Sequence, residues 1–147
     1  MQTKLWRGLV RIVLDTNIII SGLLSETGPP GQLLRFWLEG QFELATSKAQ
    51  LGELGRVFDY KKIRARIFFD QAIAFLDHID TLAFVVDALP TVDLSPDPDD
   101  NVILSTAIET NADFIISGDK SDLLSLKKVK GIPIITARQA LNRFNKL

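Results

Sequence analysis

Five short runs rich in branched apolar residues recur along this chain, and helix-forming sequence separates each from the next. They are Val10-Arg11-Ile12-Val13-Leu14, Phe42-Glu43-Leu44-Ala45, Phe84-Val85-Val86, Phe114-Ile115-Ile116-Ser117 and Ile132-Pro133-Ile134-Ile135. Strands that alternate with helices define an α/β fold with a largely parallel sheet, here of about five strands. Pro133 predicts an edge position for the last strand, because proline donates nothing to a ladder. Ile18 to Leu24 reads as an apolar helix, Thr27-Gly28-Pro29-Pro30-Gly31 as a break, and Gln32 to Glu39 as a helix with Gly40 at its C′ position. Thr46-Ser47 offers an N-cap to a helix over Lys48 to Phe58.

From Ile63 to Leu82 the apolar positions form one helical stripe, which places Ile67, Phe68, Phe69 and Phe75 in the core. Phe36, Trp37 and Leu38 are expected there too. Pro90, Pro96 and Pro98 make Asp87 to Asp99 a loop. It runs into a helix headed by Asp99-Asp100 and ending near Asn111, and further helices are expected over Ser121 to Leu126 and Ala137 to Phe144. The chain is expected to be one domain over 1–147, with 1–9 as a short lead-in. With 147 residues, 46% hydrophobic and 24% charged, it has the material for a core, and a net charge of −1 argues against an architectural nucleic-acid binder. The absence of cysteine excludes thiolate nucleophiles, cysteine-ligated zinc and iron–sulfur clusters, and suits a reducing cytoplasm. No apolar run approaches the ~20 residues of a membrane helix, and Arg7 and Arg11 interrupt the only stretch resembling a signal peptide.

In parallel α/β sheets ligands bind beyond the carboxyl ends of the strands, so acidic residues there need an explanation. Asp15 closes the first strand, Asp119 follows the Phe114 to Ser117 strand, Asp100 heads the preceding helix, and Glu53 lies on the helix after the second strand. Converging carboxylates repel one another, and a hard divalent cation such as Mg²⁺ or Mn²⁺ relieves that repulsion. Such an ion polarises a phosphoryl oxygen and activates water for phosphodiester hydrolysis. Taken singly, these residues read more simply: Asp100 as a helix cap, Asp15 and Asp119 as turn formers, Glu53 as a solvated helix residue, and Asp97, Asp99 and Asp122 as loop or cap residues. The single histidine, His78, has no partner at metal spacing and reads as structural or surface-exposed. Neither a serine elbow nor a glycine-rich nucleotide fingerprint is present.

The ordered set Val13-Leu14-Asp15-Thr16-Asn17-Ile18, Leu51-Gly52-Glu53-Leu54, Asp97-Pro98-Asp99-Asp100-Asn101 and Ile116-Ser117-Gly118-Asp119-Lys120 resembles the motifs of the PIN-domain nucleases, specifically the VapC-like toxins of prokaryotic toxin–antitoxin systems. The resemblance spans nearly the whole chain. It implies a Rossmann-like α/β/α sandwich, Asp15 and Asp100 as principal metal ligands, Glu53 and Asp119 completing the acidic cluster, and Asn17 orienting it. It further implies endoribonuclease activity with Mg²⁺ or Mn²⁺, an RNA substrate, a homodimer and a cognate antitoxin that blocks the acidic site. Gly52 and Ser121 depart from the pattern.

Two alternatives stand beside this reading. A catalytically inactive PIN-like module would bind RNA or protein without turnover. A receiver-type phosphoacceptor domain also groups acids around Mg²⁺, but it needs paired acids after the first strand and a lysine after the last, whereas this chain offers Asp15 alone and Ile135-Thr136-Ala137. Lys61, Lys62, Arg64 and Arg66 follow the Glu53 helix, and Lys120, Lys127, Lys128 and Lys130 follow Asp119. Without interleaved aromatics such clusters read first as solvated faces. The resemblance adds the option of phosphate binding, and any excess apolar surface along Ile67 to Ile79 would suit a dimer or antitoxin groove.

Overall fold

The structure is a computed structural model and describes residues 9–118 and 122–145. Its strands are β1 (Arg11–Leu14), β2 (Glu43–Ser47), β3 (Phe84–Val86), β4 (Phe114–Ser117), β5 (Lys128–Val129) and β6 (Ile132–Thr136). Its helices are α1 (Thr16–Leu24), α2 (Pro29–Leu38), α3 (Lys48–Phe58), α4 (Lys61–Arg64), α5 (Phe69–Leu82), α6 (Pro98–Thr110), α7 (Asp122–Leu126) and α8 (Ala137–Asn145). The strands form one sheet in the order β3-β2-β1-β4-β6-β5, parallel except for the β5–β6 pair.

The sheet is buried on both faces because successive strand residues point to opposite sides. Ile12, Leu14, Leu44, Ile116 and Ile135 belong to one core with α1, α2 and α8, and α5 joins it through Phe75, whose ring meets Trp37 edge-on at 5.7 Å. Val13, Ala45, Ile115 and Ile134 belong to the other core, with Ile103, Leu104 and Ala107 of α6 and Leu123 of α7. The result is an α/β/α sandwich in which β1 is connected toward β2 over one face and β4 toward β6 over the other. Between β1 and β4 the strand order therefore reverses, and a crevice opens at their carboxyl ends.

Several expectations need correction. The sheet has six strands, because the two-residue β5 is too short to leave any periodicity in the sequence. Pro133 is not on an edge strand: β6 lies between β4 and β5. Its parallel pairing with β4 begins only at Ile134, so the missing N–H falls before the ladder starts. Pro29 and Pro30 open α2 rather than interrupt it, since proline's fixed φ suits the first helical turn. The stripe from Ile63 to Leu82 is split into α4 and α5. Ile67 and Phe75 are buried as expected, but Phe68 and Phe69 are 72% and 76% exposed. Leu38 is also exposed, while Trp37 beside it is buried.

Gly31 sets the closeness of α2 to the loop that leads into it. A Cβ there would lie 2.2 Å from the Ser25 carbonyl oxygen and 2.6 Å from the Glu26 Cα, both backbone atoms that cannot rotate away. Gly31→Ala is therefore expected to destabilise the protein by about 1–3 kcal/mol, the usual cost of overpacking, as read by urea denaturation. A substitution that leaves the midpoint unchanged would show that this loop yields freely.

Candidate active site

Asp15 immediately follows β1 and occupies the N-cap position of α1, at the mouth of the β1–β4 crevice. Its backbone N–H donates to the Ile116 carbonyl at 2.9 Å, which ties it to β4. Its side chain is buried and accepts a 2.8 Å hydrogen bond from Ser117 Oγ, from the last residue of β4. Burial raises the Asp15 pKa above the ordinary 3.8; the Ser117 hydroxyl and the facing amides of Asn17 and Thr16 pull it back, and the negative charge of Asp97 pushes it up. Asp15 makes no side-chain cap bond to α1, and its clearest side-chain partner is Ser117.

Glu53 enters from α3, which starts where Ser47 Oγ accepts from the Gln50 N–H at 3.2 Å. The Thr16 hydroxyl donates to Glu53 Oε1 at 2.6 Å. Burial raises the pKa of Glu53 above 4.5; the Thr16 bond offsets part of this, Asp99 and Asp15 add to it by repulsion, and Arg56 counters weakly. Asp100 comes from the first turn of α6. There Asp97 is the cap, accepting from the Asp99 N–H at 2.9 Å. Asp100 is thus spared that task and instead accepts from Ser95 Oγ at 3.0 Å. Its pKa is raised first by burial and then by Asp97, Asp15 and Asp122, against the lowering effect of Ser95.

Asp15, Glu53 and Asp100 therefore share one electrostatic neighbourhood at the switch point. Neither described ion pair, Arg11 with Glu43 or Lys48 with Asp87, engages any of them. Asn17 is exposed in the first turn of α1 and turns its backbone N–H toward Asp15. Asp119, with Lys120 and Ser121, lies outside the described residues. Asp97 is a cap as expected, Asp122 is exposed at the start of α7, and His78 is exposed on α5.

Among the described residues no three acidic or imidazole groups stand close enough to form a ready metal cage. The donor set nevertheless fits a hard cation. It consists of carboxylate oxygens that repel one another and that neither described ion pair engages, and Mg²⁺ commonly takes only one or two carboxylates and keeps several waters.

Sequence reasoning missed the residues that hold these acids in place. Gln50 is 1% exposed, and its Nε2 donates to the Leu14 carbonyl at 2.6 Å and reaches Thr16 Oγ1 at 3.4 Å, while its Oε1 accepts from Thr46 Oγ1 at 2.6 Å. Asn101 accepts from the Leu94 and Ser95 N–H groups and donates to the Ser95 carbonyl, which fixes the hydroxyl that Asp100 uses. The available signal for Gln50 was its place one turn before Glu53, on the same helical face.

A doubly wound α/β sandwich with acids gathered at its switch point is the class these features define. Residues 11–121 match the PIN domain model, and the chain belongs to the PIN domain family. An uncharacterised protein of Methanocaldococcus jannaschii is 31% identical over 119 residues, covering 80% of this chain and 76% of that protein. The fold is also similar to a chain in the crystal structure of VapBC2 from Rickettsia felis bound to a DNA fragment from their promoter. That match has a TM-score of 0.54 at 18% identity, over 86% of this chain and 98% of the other. No helix among the described residues is long and apolar enough to cross a membrane.

The raised carboxylates fix a sign for pH dependence. Each has a folded-state pKa above its unfolded value, so folding incurs no penalty below the unfolded pKa and a growing one as pH rises through the folded pKa. In metal-free protein, Asp15→Asn should match wild type in melting temperature near pH 3.8 and gain on it progressively toward neutral pH. A difference that is constant with pH, or that favours wild type near neutrality, would show that Asp15 carries no such penalty.

Proposed function

We propose that this chain is a metal-dependent endoribonuclease acting as the toxin of a toxin–antitoxin pair. The observation that carries the reading is that Asp15, Glu53 and Asp100 stand near the switch point, each held by a hydroxyl, from Ser117, Thr16 and Ser95 respectively, and none in a described ion pair. Membership in the PIN domain family and the fold's likeness to a VapBC2 chain support it.

In this reading Asp15 and Asp100 hold Mg²⁺ or Mn²⁺, and Glu53 and Asp119 complete the acidic site, with Asn17 helping to orient it. When bound, the ion supplies charge neutralisation at the phosphoryl group and lowers the pKa of a water. The chain's own contribution is position. Ser117 Oγ fixes one oxygen of Asp15, Ser95 Oγ fixes one oxygen of Asp100, and Thr16 fixes Oε1 of Glu53. Catalytic groups placed in this way add little reorganisation when charge develops in the transition state. Among the described residues the hydroxyls of Ser117, Ser95 and Thr16 are each engaged with a carboxylate, so in this reading water attacks and no covalent protein intermediate forms. The partners are RNA as substrate, a second copy of the chain, and an antitoxin whose bound segment covers the acids, with the pair acting in the cytoplasm.

Purified protein should cleave RNA in Mg²⁺ or Mn²⁺ and stop in EDTA, and Asp100→Asn should lower the rate by about 10²–10³-fold. Cleavage that continues in EDTA at full rate would exclude the mechanism. Binding can be read separately from turnover. Mn²⁺ at a hundredfold excess over Kd should stabilise the native protein by about 2.7 kcal/mol, and Asp15→Asn or Asp100→Asn should shrink that gain. A metal response that both variants preserve would place the ion elsewhere.

A further inference from the structure

The segment 60–69 reads Tyr60-Lys61-Lys62-Ile63-Arg64-Ala65-Arg66-Ile67-Phe68-Phe69, with four basic and no acidic side chains in a chain whose net charge is −1. Tyr60, Phe68 and Phe69 are 55%, 72% and 76% exposed, three of the four exposed aromatic residues among those described. Lys61, Lys62, Arg64 and Arg66 are exposed between them. Neither described ion pair involves these four cations.

The segment is nonetheless anchored. Ile67 is buried in the core and Ile63 packs against that core, while the Ile67 N–H donates to the Ile63 carbonyl at 2.8 Å. The Phe68 N–H donates to Gln71 Oε1 at 3.0 Å. Two isoleucines thus hold the turn down and leave the rings and cations outward. Phe58, Ile67, Phe68 and Phe69, with Arg64 and Asp59, line a cleft of about 340 Å³ between the end of α3 and the start of α5. Arg64 and Asp59 offer a donor and an acceptor at its rim.

We infer that this surface is a stacking platform for single-stranded RNA, with Tyr60, Phe68 and Phe69 receiving bases and Lys61, Lys62, Arg64 and Arg66 receiving phosphates. Exposed rings at either end of a run of exposed cations, which even with the flanking Asp59 and Asp70 keeps a positive balance, are what unpaired bases on a polyanionic backbone require. The cleft itself is mainly apolar, so it is the run of exposed cations beside it that favours a polyanion over a protein partner, whose interface core would be depleted of charge. Bases in a duplex reach the rings only after unstacking and unpairing, which costs free energy, so the platform favours single strands and loops. Phe58, which lines the cleft, follows Glu53 on α3 by five residues, about 7.5 Å along the helix axis and on a different face of the helix, so cleft and acids share one helix. The choice of RNA over other single strands rests on the ribonuclease reading.

The test is fluorescence anisotropy of the full chain in EDTA, with a short labelled oligouridine and a blunt RNA duplex as probes. The double variant Phe68→Ala, Phe69→Ala should bind oligouridine about tenfold more weakly for each ring removed, with duplex binding unchanged. Phe68→Tyr, Phe69→Tyr keeps both rings and should retain affinity, which separates stacking from any loss of fold. Lys61→Gln and Lys62→Gln should each lower the slope of log affinity against log salt by about 0.7. Oligouridine affinity indifferent to these changes overturns the platform, as does an equal loss on the duplex. An alanine variant that keeps its affinity but dissociates an oligomer in sedimentation would make the patch a protein interface instead. Cleavage assays in Mg²⁺ or Mn²⁺ keep the two readings apart: absent turnover with ring-dependent binding fails the nuclease alone, and turnover with ring-independent binding fails the platform alone.

Discussion

Parallel pairing of β1 with β4 is the constraint on which the rest of the molecule depends. It aligns Val13 with Ile115 and Leu14 with Ile116, joining segments 102 residues apart, and it sends the chain from the two strands over opposite faces. Asp15 and Ser117 meet because each stands at the end of one of these strands. Asp15 and Ser117 are both buried where they meet, so this point is largely sheltered from water. Shelter is what makes the acids costly there: burial is the largest cause of the raised pKa at all three described carboxylates. A fold concerned with stability alone would place uncharged residues at this point, which is the familiar tension between a working site and a stable one.

A neutral scaffold surrounds that charge. Gln50 spans β1, the start of α1 and the end of β2 through the Leu14 carbonyl, Thr16 and Thr46, and Thr16 passes the constraint to Glu53. Ser47, which caps α3, also accepts from Thr106 Oγ1 at 2.8 Å, linking α3 to α6. The helices that deliver Glu53 and Asp100 are thereby held in register with one another as well as with the sheet. Buried polar networks of this kind stabilise a single arrangement only when each member is satisfied, and no described buried side-chain polar atom lacks a partner.

The α/β class and the placement of most elements were legible in the sequence, because the longer strands announce themselves by branched apolar residues, and Asp15 and Asp100 drew notice as acids at a strand end and a helix start. Three kinds of information were not legible there. Pairing order is set by which crossovers pack, so neither the central place of β1 nor the inner place of β6 could be read from Pro133 alone. Burial of a single aromatic depends on the break between α4 and α5, which turns Phe68 and Phe69 outward although the stripe they continue is apolar. Gln50 looks like any polar helix residue until the tertiary fold brings the Leu14 carbonyl to it. The outward rings also change how the neighbouring cations are read, since aromatics that seemed to belong to the core in fact stand among them.

The antiparallel β5–β6 hairpin has a consequence for how copies of the molecule can meet. Its turn is Lys130-Gly131, at φ of 46° and 80°, and Lys127 at φ 65° stands just before β5, which spans two residues. At the far side of the sheet β3 spans three, and the Arg11 guanidinium sits 4.3 Å from the Phe84 ring centroid. Each end of the sheet thus presents only a stub of open backbone, one of them bracketed by lysines, and neither is long enough to template another strand. Growth by strand addition, the common hazard of an open sheet, is closed off at both ends. Association with another chain is left to the helical layers and the loops at the strand ends.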